Sequence, residues 1–230
     1  RLCDELGLDT IETGAAIAVL MDAGGMEWGD AVGAKKLLSE GISAGERDAV
    51  DVANGAVAVG KTHNHARVPV AKGQAMPAWD PRPLLAAGIT YCSSAMGADH
   101  TAGLVVDPSI SGEAAVVASQ EVQVINAVCD TSGFCMFLGP TIDEHSKFFS
   151  IMFDEEVSNQ QMADIGWQCL LDEWEFNDKA GFTAADDDMA SCLREEPIGE
   201  NKDRVFNISA ELIAMAKVRQ PPTEKFFHAS

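Results

Sequence analysis

Apolar residues recur at helical spacing through most of this chain, and almost no stretch alternates with the two-residue period of a strand. The predicted helices cover residues 9–25, 30–41, 45–61, 81–94, 112–128, 142–153, 159–179 and 209–219. Asp9 or Thr10, Ser111 and Ser158 are of the residue types that cap helix N-termini, and Gly181 is a typical stop. The pattern predicts a mainly α protein.

A proline-rich stretch interrupts the helical pattern before the middle of the chain. Its prolines are Pro69, Pro77, Pro81 and Pro83. Because proline disrupts a helix interior, this stretch cannot form one continuous helix. Val68–Val70 is expected to pair as a short strand, and Asp80 with Pro81 to cap and open the next helix. We therefore predict a domain boundary here, between a part over 1–70 and a part over 71–230.

Composition excludes several classes of protein. The chain has 230 residues, of which 47% are hydrophobic and 23% charged, as is ordinary for a folded protein of one large domain or two modest ones. Its 16 Lys and Arg face 36 Asp and Glu, a net charge of −20, which argues against nucleic acid or an anionic membrane as a partner. No stretch approaches the roughly 18 apolar residues of a membrane span.

The start of the chain and its cysteines indicate its setting. Acidic residues appear at once in "RLCDELG", which is unlike a secretory signal, and the absence of an initiator methionine suggests a processed or truncated piece. The six cysteines are too widely spread for a secreted disulfide framework. We expect a reducing, cytoplasmic location.

One heptapeptide occurs twice, as "CDELGLD" at Cys3–Asp9 and "CDTSGFC" at Cys129–Cys135. Each copy has an aspartate near the end of a helical run and a glycine three residues later. Glycine permits a positive φ and close approach of a ligand, and an aspartate can accept two parallel N–H bonds from a flat heterocycle. The repeat indicates two similar ligand halves held by pseudo-symmetric loops, although Asp-x-x-Gly also ends many helices.

The two copies differ at their last residue. Asp9 is a hard oxygen acceptor, whereas the Cys135 thiolate is a soft ligand for iron or zinc. Cys129 is too far from Cys135 in sequence for the usual Cys-x-x-Cys hook. Since an iron–sulfur cluster generally takes four protein ligands, any cluster on Cys135 needs companions from elsewhere.

The ordered set of motifs resembles the aldehyde ferredoxin oxidoreductase family, tungsten- or molybdenum-dependent enzymes with a bis-pterin cofactor beside a [4Fe–4S] cluster. That family carries motifs of the form Asp-x-x-Gly-Leu-Asp and Asp-x-x-Gly-Leu-Cys. "DELGLDTIETG" at Asp4–Gly14 is similar to the first, and "DTSGFC" at Asp130–Cys135 to the second. Between them, "VAKGQAMPAWDPRPLLAAGITYCSSAMGADHTAG" resembles the family's segment KGxExPAYDPR…GxxYATSxRGAxH.

The resemblance implies a role for each matching residue. The residues implied to contact one pterin are Asp4, Gly7, Leu8 and Asp9. Those implied to contact the other are Asp130, Gly133, Phe134 and Cys135, with the Cys135 thiolate also a metal ligand of the cluster. His100, in "GADH", is implied to be catalytic, near the metal and able to move a proton.

The sequence departs from the family pattern in several places. Trp79 stands where tyrosine is usual, and "GADHT" replaces the commoner "GACHL". The family's Cys-x-x-Cys-x-x-x-Cys motif and its N-terminal β-rich domain have no counterpart here. The resemblance therefore implies helical domains corresponding to the C-terminal two domains of that fold. On that basis 1–70 is the end of the middle domain and 71–230 the last domain.

The implied function is the C-terminal part of an enzyme that oxidises an aldehyde to a carboxylic acid. Electrons would leave through the [4Fe–4S] cluster to ferredoxin or a similar carrier, and the absent N-terminal half would be a partner; a homo-oligomer is also compatible. The alternative is a non-catalytic helical domain or subunit that binds a cofactor or a partner. His63 and His65, in "HNH", are expected to be surface residues rather than a metal pair.

Overall fold

A computed structural model describes residues 1–227 and confirms a mainly α protein. The helices are α1 (Leu2–Leu6), α2 (Thr10–Asp22), α3 (Ala31–Lys36), α4 (Ile42–Ala44), α5 (Arg47–Ala53), α6 (Ala56–Thr62), α7 (Leu85–Ser93), α8 (Gly112–Ser132), α9 (Ile142–Phe153), α10 (Asn159–Ala180), α11 (Ser191–Glu195) and α12 (Ala210–Ala216). A π-helical turn, Leu37–Gly41, joins α3 to α4, and a 3₁₀ turn, Met136–Leu138, follows the second motif. None of the helices in this part of the chain is long and apolar enough to cross a membrane.

The helix predicted over 45–61 is wrong, because the structure has two helices there, α5 and α6. They are separated at Gly55, whose φ of 98° is a conformation that L side chains rarely adopt. A Cβ at Gly55 would also lie 2.6 Å from a carboxylate oxygen of Glu12 on α2. The break therefore lets the start of α6 approach α2 closely.

A two-stranded antiparallel hairpin lies where the prolines interrupt the helices. It pairs β1 (Val70–Ala71) with β2 (Gln74–Ala75), so the predicted strand at 68–70 begins two residues later than expected. The predicted cap at Asp80 is wrong, because α7 begins only at Leu85. The Asp80 carboxylate instead accepts three hydrogen bonds from the Arg82 guanidinium and one from the Arg82 backbone N–H.

The C-terminal helices follow the sequence pattern most closely. Ser158 accepts from the Gln161 N–H in a reciprocal capping box, and Gly181 ends α10 in the left-handed conformation, as predicted. Ser111 precedes α8 but makes no side-chain cap bond. The sequence pattern did not predict the short helix α11. It also predicted that the last helix continues to residue 219, whereas α12 ends at Ala216.

The buried apolar side chains form three clusters. The first lies between α2, α5 and α6 and includes Ala75 of the hairpin. The second surrounds α7, with Ala71 of the hairpin, and the third lies between α8 and α10, around Trp167 and Trp174. The hairpin thus contributes to the first cluster and to the second. The domain boundary at residue 70 stays a prediction.

Candidate functional site

The first copy of the heptapeptide forms the end of α1. The Gly7 N–H donates to the Asp4 carbonyl at 3.3 Å, and the Leu8 N–H donates to the Cys3 carbonyl at 2.8 Å. These two bonds are those of a Schellman motif, with glycine at the left-handed position. The aspartate of the motif therefore lies in the last turn of a helix.

The second copy forms the end of α8 in the same way. The Gly133 N–H donates to the Asp130 carbonyl at 3.3 Å, and the Phe134 N–H donates to the Cys129 carbonyl at 3.0 Å. Both hydrogen bonds connect the same positions of the heptapeptide as in the first copy. The sequence repeat is therefore a repeat of local structure.

Both loops leave their glycine open. Gly7 has φ of 70° and Gly133 has φ of 77°, and no heavy atom outside the chain neighbours lies within 4 Å of where either Cβ would be. Asp4 and Asp130 are both exposed. Each loop thus offers bare backbone and an exposed carboxylate side by side, although the Asp4 carboxylate also pairs with the N-terminal ammonium at 3.9 Å. This is the arrangement that recognition of a flat heterocycle by the predicted residues needs.

The last residue of the heptapeptide differs in its hydrogen bonding. Asp9 and Cys135 have nearly the same extended backbone, with φ, ψ of −66°, 132° and −73°, 127°. The Asp9 carboxylate accepts the Glu12 N–H at 2.7 Å and caps α2, as predicted. Cys135 precedes the 3₁₀ turn without a cap bond, and its thiol is free and exposed. The thiol is therefore available for a metal.

A cavity of about 530 Å³ brings the first loop together with the predicted catalytic histidine. Asp9 and His100 both line it, although they are far apart in the sequence. Its other walls come from the start of α2, from the β1–β2 hairpin and from the loop after α7. This cavity is the candidate site, and we call it the histidine cavity.

His100 is held in a loop that packs tightly on the hairpin. A Cβ at Gly97 would lie 2.4 Å from the Ala71 carbonyl oxygen, so only glycine allows this approach. The His100 Nδ1 lies 3.5 Å from a carboxylate oxygen of Asp99, and it is buried without a hydrogen-bond partner. Asp99 accepts the Thr101 N–H at 2.7 Å. An imidazole with an unused nitrogen beside a carboxylate is suited to holding a proton.

Lys72, which the sequence reasoning did not single out, also lines the histidine cavity. Its ammonium forms an ion pair with Asp187 at 2.6 Å and donates to the Cys92 carbonyl, while Lys217 binds the other Asp187 oxygen. Burial lowers the pKa of Lys72, against the opposing effect of Asp187. Because Asp187 is distant in sequence, periodicity and motif spacing contained no signal for this pair.

A second, much smaller cavity of about 40 Å³ lies beside the second loop. Asp130, Gln123 and Glu173 line it, and Met96 lines both this cavity and the histidine cavity. The Gln123 Oε1 is buried without a hydrogen-bond partner. Burial raises the pKa of Glu173, and the negative charge of Asp130 raises it further. The two loops therefore border neighbouring cavities that share one side chain.

The last two residues of the second loop, Phe134 and Cys135, are not among the residues that line the small cavity. The Phe134 ring packs edge-on against His145 and Phe148, with centroids 5.3 and 4.9 Å apart. Cys135 lines neither the histidine cavity nor the small cavity. Within residues 1–227, no three His, Cys, Asp or Glu side chains are grouped so that they could hold a metal ion. Cys135 is therefore not grouped with two further side chains of these types in the described part of the chain.

The histidines of "HNH" are partly exposed, and each pairs with a carboxylate of an earlier helix. The side chains of His63 and His65 are 21% and 18% exposed. The His63 Nε2 lies 2.9 Å from Asp48, and the His65 Nε2 lies 2.8 Å from Asp22. The sequence did not reveal these partners, because both carboxylates belong to earlier helices that fold back against this segment.

Comparisons with known proteins identify relatives along almost the whole chain. The family model described as aldehyde ferredoxin oxidoreductase, domains 2 & 3, matches residues 1–217. The tungsten-containing aldehyde ferredoxin oxidoreductase of Pyrococcus furiosus is 26% identical over 95% of this chain and 41% of its own length. That of Thermococcus kodakarensis is 26% identical over 94% of this chain and 41% of its own. The chain thus spans about two fifths of the length of these relatives.

Proposed function

The chain belongs to the aldehyde ferredoxin oxidoreductase family, and we propose that it is the part of a tungsten enzyme that holds both pterins, the catalytic histidine and one cluster ligand. The whole protein would oxidise an aldehyde to a carboxylic acid in the cytoplasm. The observation that carries the proposal is the pair of equivalent Schellman loops, one of which shares a cavity with His100.

The residues present fit a cofactor with two similar halves. Asp4 with Gly7 and Asp130 with Gly133 offer the same carboxylate and the same open backbone in two places. We assign one pterin to each loop, with Leu8 and Phe134 as the apolar contacts that follow each glycine. When bound, a tungsten or molybdenum bis-pterin supplies two-electron redox chemistry, and an adjacent [4Fe–4S] cluster supplies the electron exit.

The cluster assignment rests on one side chain. Cys135 is a free, exposed thiol in the position where Asp9 is used as a helix cap in the other loop. Since a cluster takes four ligands and no three such side chains are grouped within residues 1–227, at least two of its ligands would come from elsewhere. We therefore expect Cys135 to lie at an interface with the part of the enzyme that carries the other cysteines, and ferredoxin or a similar carrier to accept the electrons.

His100 is the group in the histidine cavity best placed to handle a proton. Its Nδ1 lies 3.5 Å from Asp99 and has no hydrogen-bond partner, so the ring can take or give a proton without breaking an existing bond. Oxidation of an aldehyde with one water molecule to an acid releases two electrons, which the bound cofactor would accept, and two protons. We assign to His100 the role of accepting one of these protons from the substrate side of the cavity.

The test is metal and cofactor analysis of the protein expressed from its whole open reading frame and purified without oxygen. We expect tungsten or molybdenum, pterin and iron in the preparation, with aldehyde-dependent reduction of a viologen dye. His100→Ala should keep the metal content and lose most of the turnover, by about 10²-fold or more.

The opposite results identify the alternative function. A preparation without tungsten, molybdenum or iron contradicts the oxidoreductase proposal and leaves a non-catalytic helical domain that binds a cofactor or partner. Unchanged turnover in His100→Ala, at equal metal content, removes this histidine from the reaction while leaving the cofactor assignment in place.

A further inference from the structure

Asn126 lies on α8, one helical turn before Asp130 of the second loop. It is only 6% exposed, and its Nδ2 donates to the Thr101 carbonyl at 2.8 Å. Thr101 directly follows His100 in the sequence. One buried amide of α8 therefore makes a hydrogen bond to the residue next to the proposed catalytic histidine.

The hydrogen bonds of Thr101 connect Asn126 to the surroundings of the His100 ring. The Thr101 N–H donates to the Asp99 carboxylate at 2.7 Å, and the same carboxylate oxygen lies 3.5 Å from the His100 Nδ1. Both backbone polar groups of Thr101 are thus bound, the N–H by Asp99 and the carbonyl by Asn126. Because the two bonds together restrict the backbone dihedrals of Thr101, the position of Asp99 beside the ring depends on Asn126.

The segment that follows His100 also packs directly on α8. A Cβ at Gly103 would lie 2.7 Å from the Val122 side chain and 3.2 Å from the Gln123 backbone nitrogen. The Gly103 N–H donates to the His100 carbonyl at 3.2 Å, which closes a β-turn. This turn is therefore held on α8 at two points, by the close contact at Gly103 and by the amide of Asn126.

Side chains of α10 anchor the start of the loop that carries His100. The Trp174 Nε1 donates to the Ser93 carbonyl at 2.8 Å. The Asn177 Nδ2 donates to the Ala95 carbonyl, also at 2.8 Å. Both carbonyls lie well before His100 in the sequence, so these bonds fix the start of the loop and not the residues that flank the histidine.

We propose that Asn126 is a positioning residue for His100, and that α8 thereby holds the second loop and the histidine in one fixed arrangement. Asn126 and Asp130 lie on one face of α8, about 6 Å apart along its axis, and both line the small cavity. Met96 and Ala102, on either side of His100 in the sequence, line the same cavity. The effect of Asn126 on turnover rests on the proposed function of His100, whereas its contact with the turn does not.

Hydrogen–deuterium exchange of the complete protein, with or without bound cofactor, tests the contact. Asn126→Leu keeps about the same side-chain volume and removes the N–H donor. Amides of residues 97–103 should then exchange about threefold faster or more, because the turn loses one of its two attachments to α8. Gln120→Met is the matched control, since it also removes a buried amide of α8 that donates to a backbone carbonyl, that of Ala216 at 3.0 Å. Its exchange at 97–103 should equal that of the wild type.

Only one pattern of exchange supports the contact, a faster rate at 97–103 in Asn126→Leu and not in Gln120→Met. A rate as slow as in the wild type overturns the contact. An equal increase in both variants also overturns it, because it would report a loss of overall stability. If Asn126→Leu does not fold, Asn126→Ala, which only removes atoms, takes its place in the same comparison.

Steady-state kinetics of the metal-loaded protein test the positioning role. Asn126→Leu should lower kcat by about fivefold or more and leave KM for the aldehyde within about twofold, because it displaces the proton acceptor and not the groups that bind the substrate. Its tungsten or molybdenum content should match that of the wild type, and Gln120→Met should keep the wild-type kcat and KM. An unchanged kcat in Asn126→Leu, or a loss of kcat that only follows a loss of metal, overturns the positioning role.

The two proposals fail in different ways. Wild-type protein without tungsten, molybdenum or iron contradicts the proposed function, and hydrogen exchange then still decides whether Asn126 holds the turn. Turnover that is kept in His100→Ala contradicts the role of His100, and with it the positioning role. Turnover that is lost in His100→Ala and kept in Asn126→Leu leaves the function standing and removes the positioning role.

Discussion

The loop over Cys3–Asp9 and the loop over Cys129–Cys135 have the same backbone hydrogen bonds and different last residues. In both, the glycine has a φ near 70°, and the residue after it closes the turn onto the flanking cysteine's carbonyl. In the first loop the last side chain is tied to α2 by the Asp9 cap. In the second loop the Cys135 thiol has no such structural bond.

This difference separates what the repeat does for folding from what it does for chemistry. Asp9 has a structural reason to be there, since it begins a helix that lines the histidine cavity. Cys135 has none, because an exposed thiol without a partner adds nothing to the fold. The second loop is therefore the one in which a metal ligand could replace a cap without loss of stability.

The largest expected effect is on Cys135. Cys135→Ser in the complete protein should lose cluster iron, from about four atoms to three or fewer, because it removes one of four ligands. The free energy of unfolding of the chain should stay within about 0.5 kcal/mol of the wild type. Iron analysis and urea unfolding measure the two effects.

Cys192→Ala is the matched control for that prediction. Cys192 lines a separate cavity together with Arg67 and Arg82. The Cys192→Ala variant should therefore keep the full iron content of the wild type. If Cys135→Ser holds as much iron as the wild type, Cys135 is not a cluster ligand, and the difference between the last residues of the two loops is not explained by metal binding.

The next effect tests whether the two turns are equivalent. Gly7→Ala and Gly133→Ala should each cost about 1–2 kcal/mol of unfolding free energy, since alanine is strained at these positive φ values. The two costs should agree, because neither Cβ meets a neighbouring atom. Gly14→Ala in α2, which also has open space and an ordinary φ, should stabilise the protein instead. Clearly unequal costs in urea unfolding would show that the loops are not equivalent.

The next prediction concerns the contribution of Asp9 to stability, for which Cys135 has no equivalent cap bond. Asp9→Ala should cost about 1 kcal/mol of unfolding free energy through loss of the α2 cap, whereas Asp9→Ser should cost clearly less because serine also accepts the Glu12 N–H. Cys135→Ala is the counterpart and should cost almost nothing. A loss for serine as large as for alanine would mean that the cap bond is not what Asp9 contributes.

The smallest effect concerns the carboxylate that faces the second loop. Burial and the charge of Asp130 raise the pKa of Glu173, so the folded protein holds this proton more tightly than the unfolded chain does. The stability it contributes is therefore present at low pH and lost as the pH rises through the raised pKa, above the ordinary 4.5. Glu173→Gln should lose less stability than the wild type between acidic and neutral pH, as measured by urea unfolding at several pH values. Identical profiles would mean that the pKa of Glu173 is not raised in the folded protein.

The sequence determined the helical class, the two loops and most helix ends. A helix start or stop depends on a few adjacent residues, as in the Ser158 cap, the Gly181 stop and the left-handed glycines of the two motifs. Helix ends of this kind can therefore be predicted from the sequence alone. The same reasoning failed at 45–61, where an alanine-rich pattern continued through Gly55 although close approach to Glu12 breaks the helix.

Only the tertiary structure decided which of these local features meet. Asp9 and His100 face one cavity because the hairpin and the loop after α7 pack together, and Lys72 with Asp187, His63 with Asp48 and Glu12 with Ala56 pair across long separations. These contacts follow from the packing of whole helices, which depends on many weak contacts and leaves no short pattern in the chain. The sequence therefore predicted the two loops, whereas the packing of the helices placed one of them beside His100 and left Cys135 exposed at the surface.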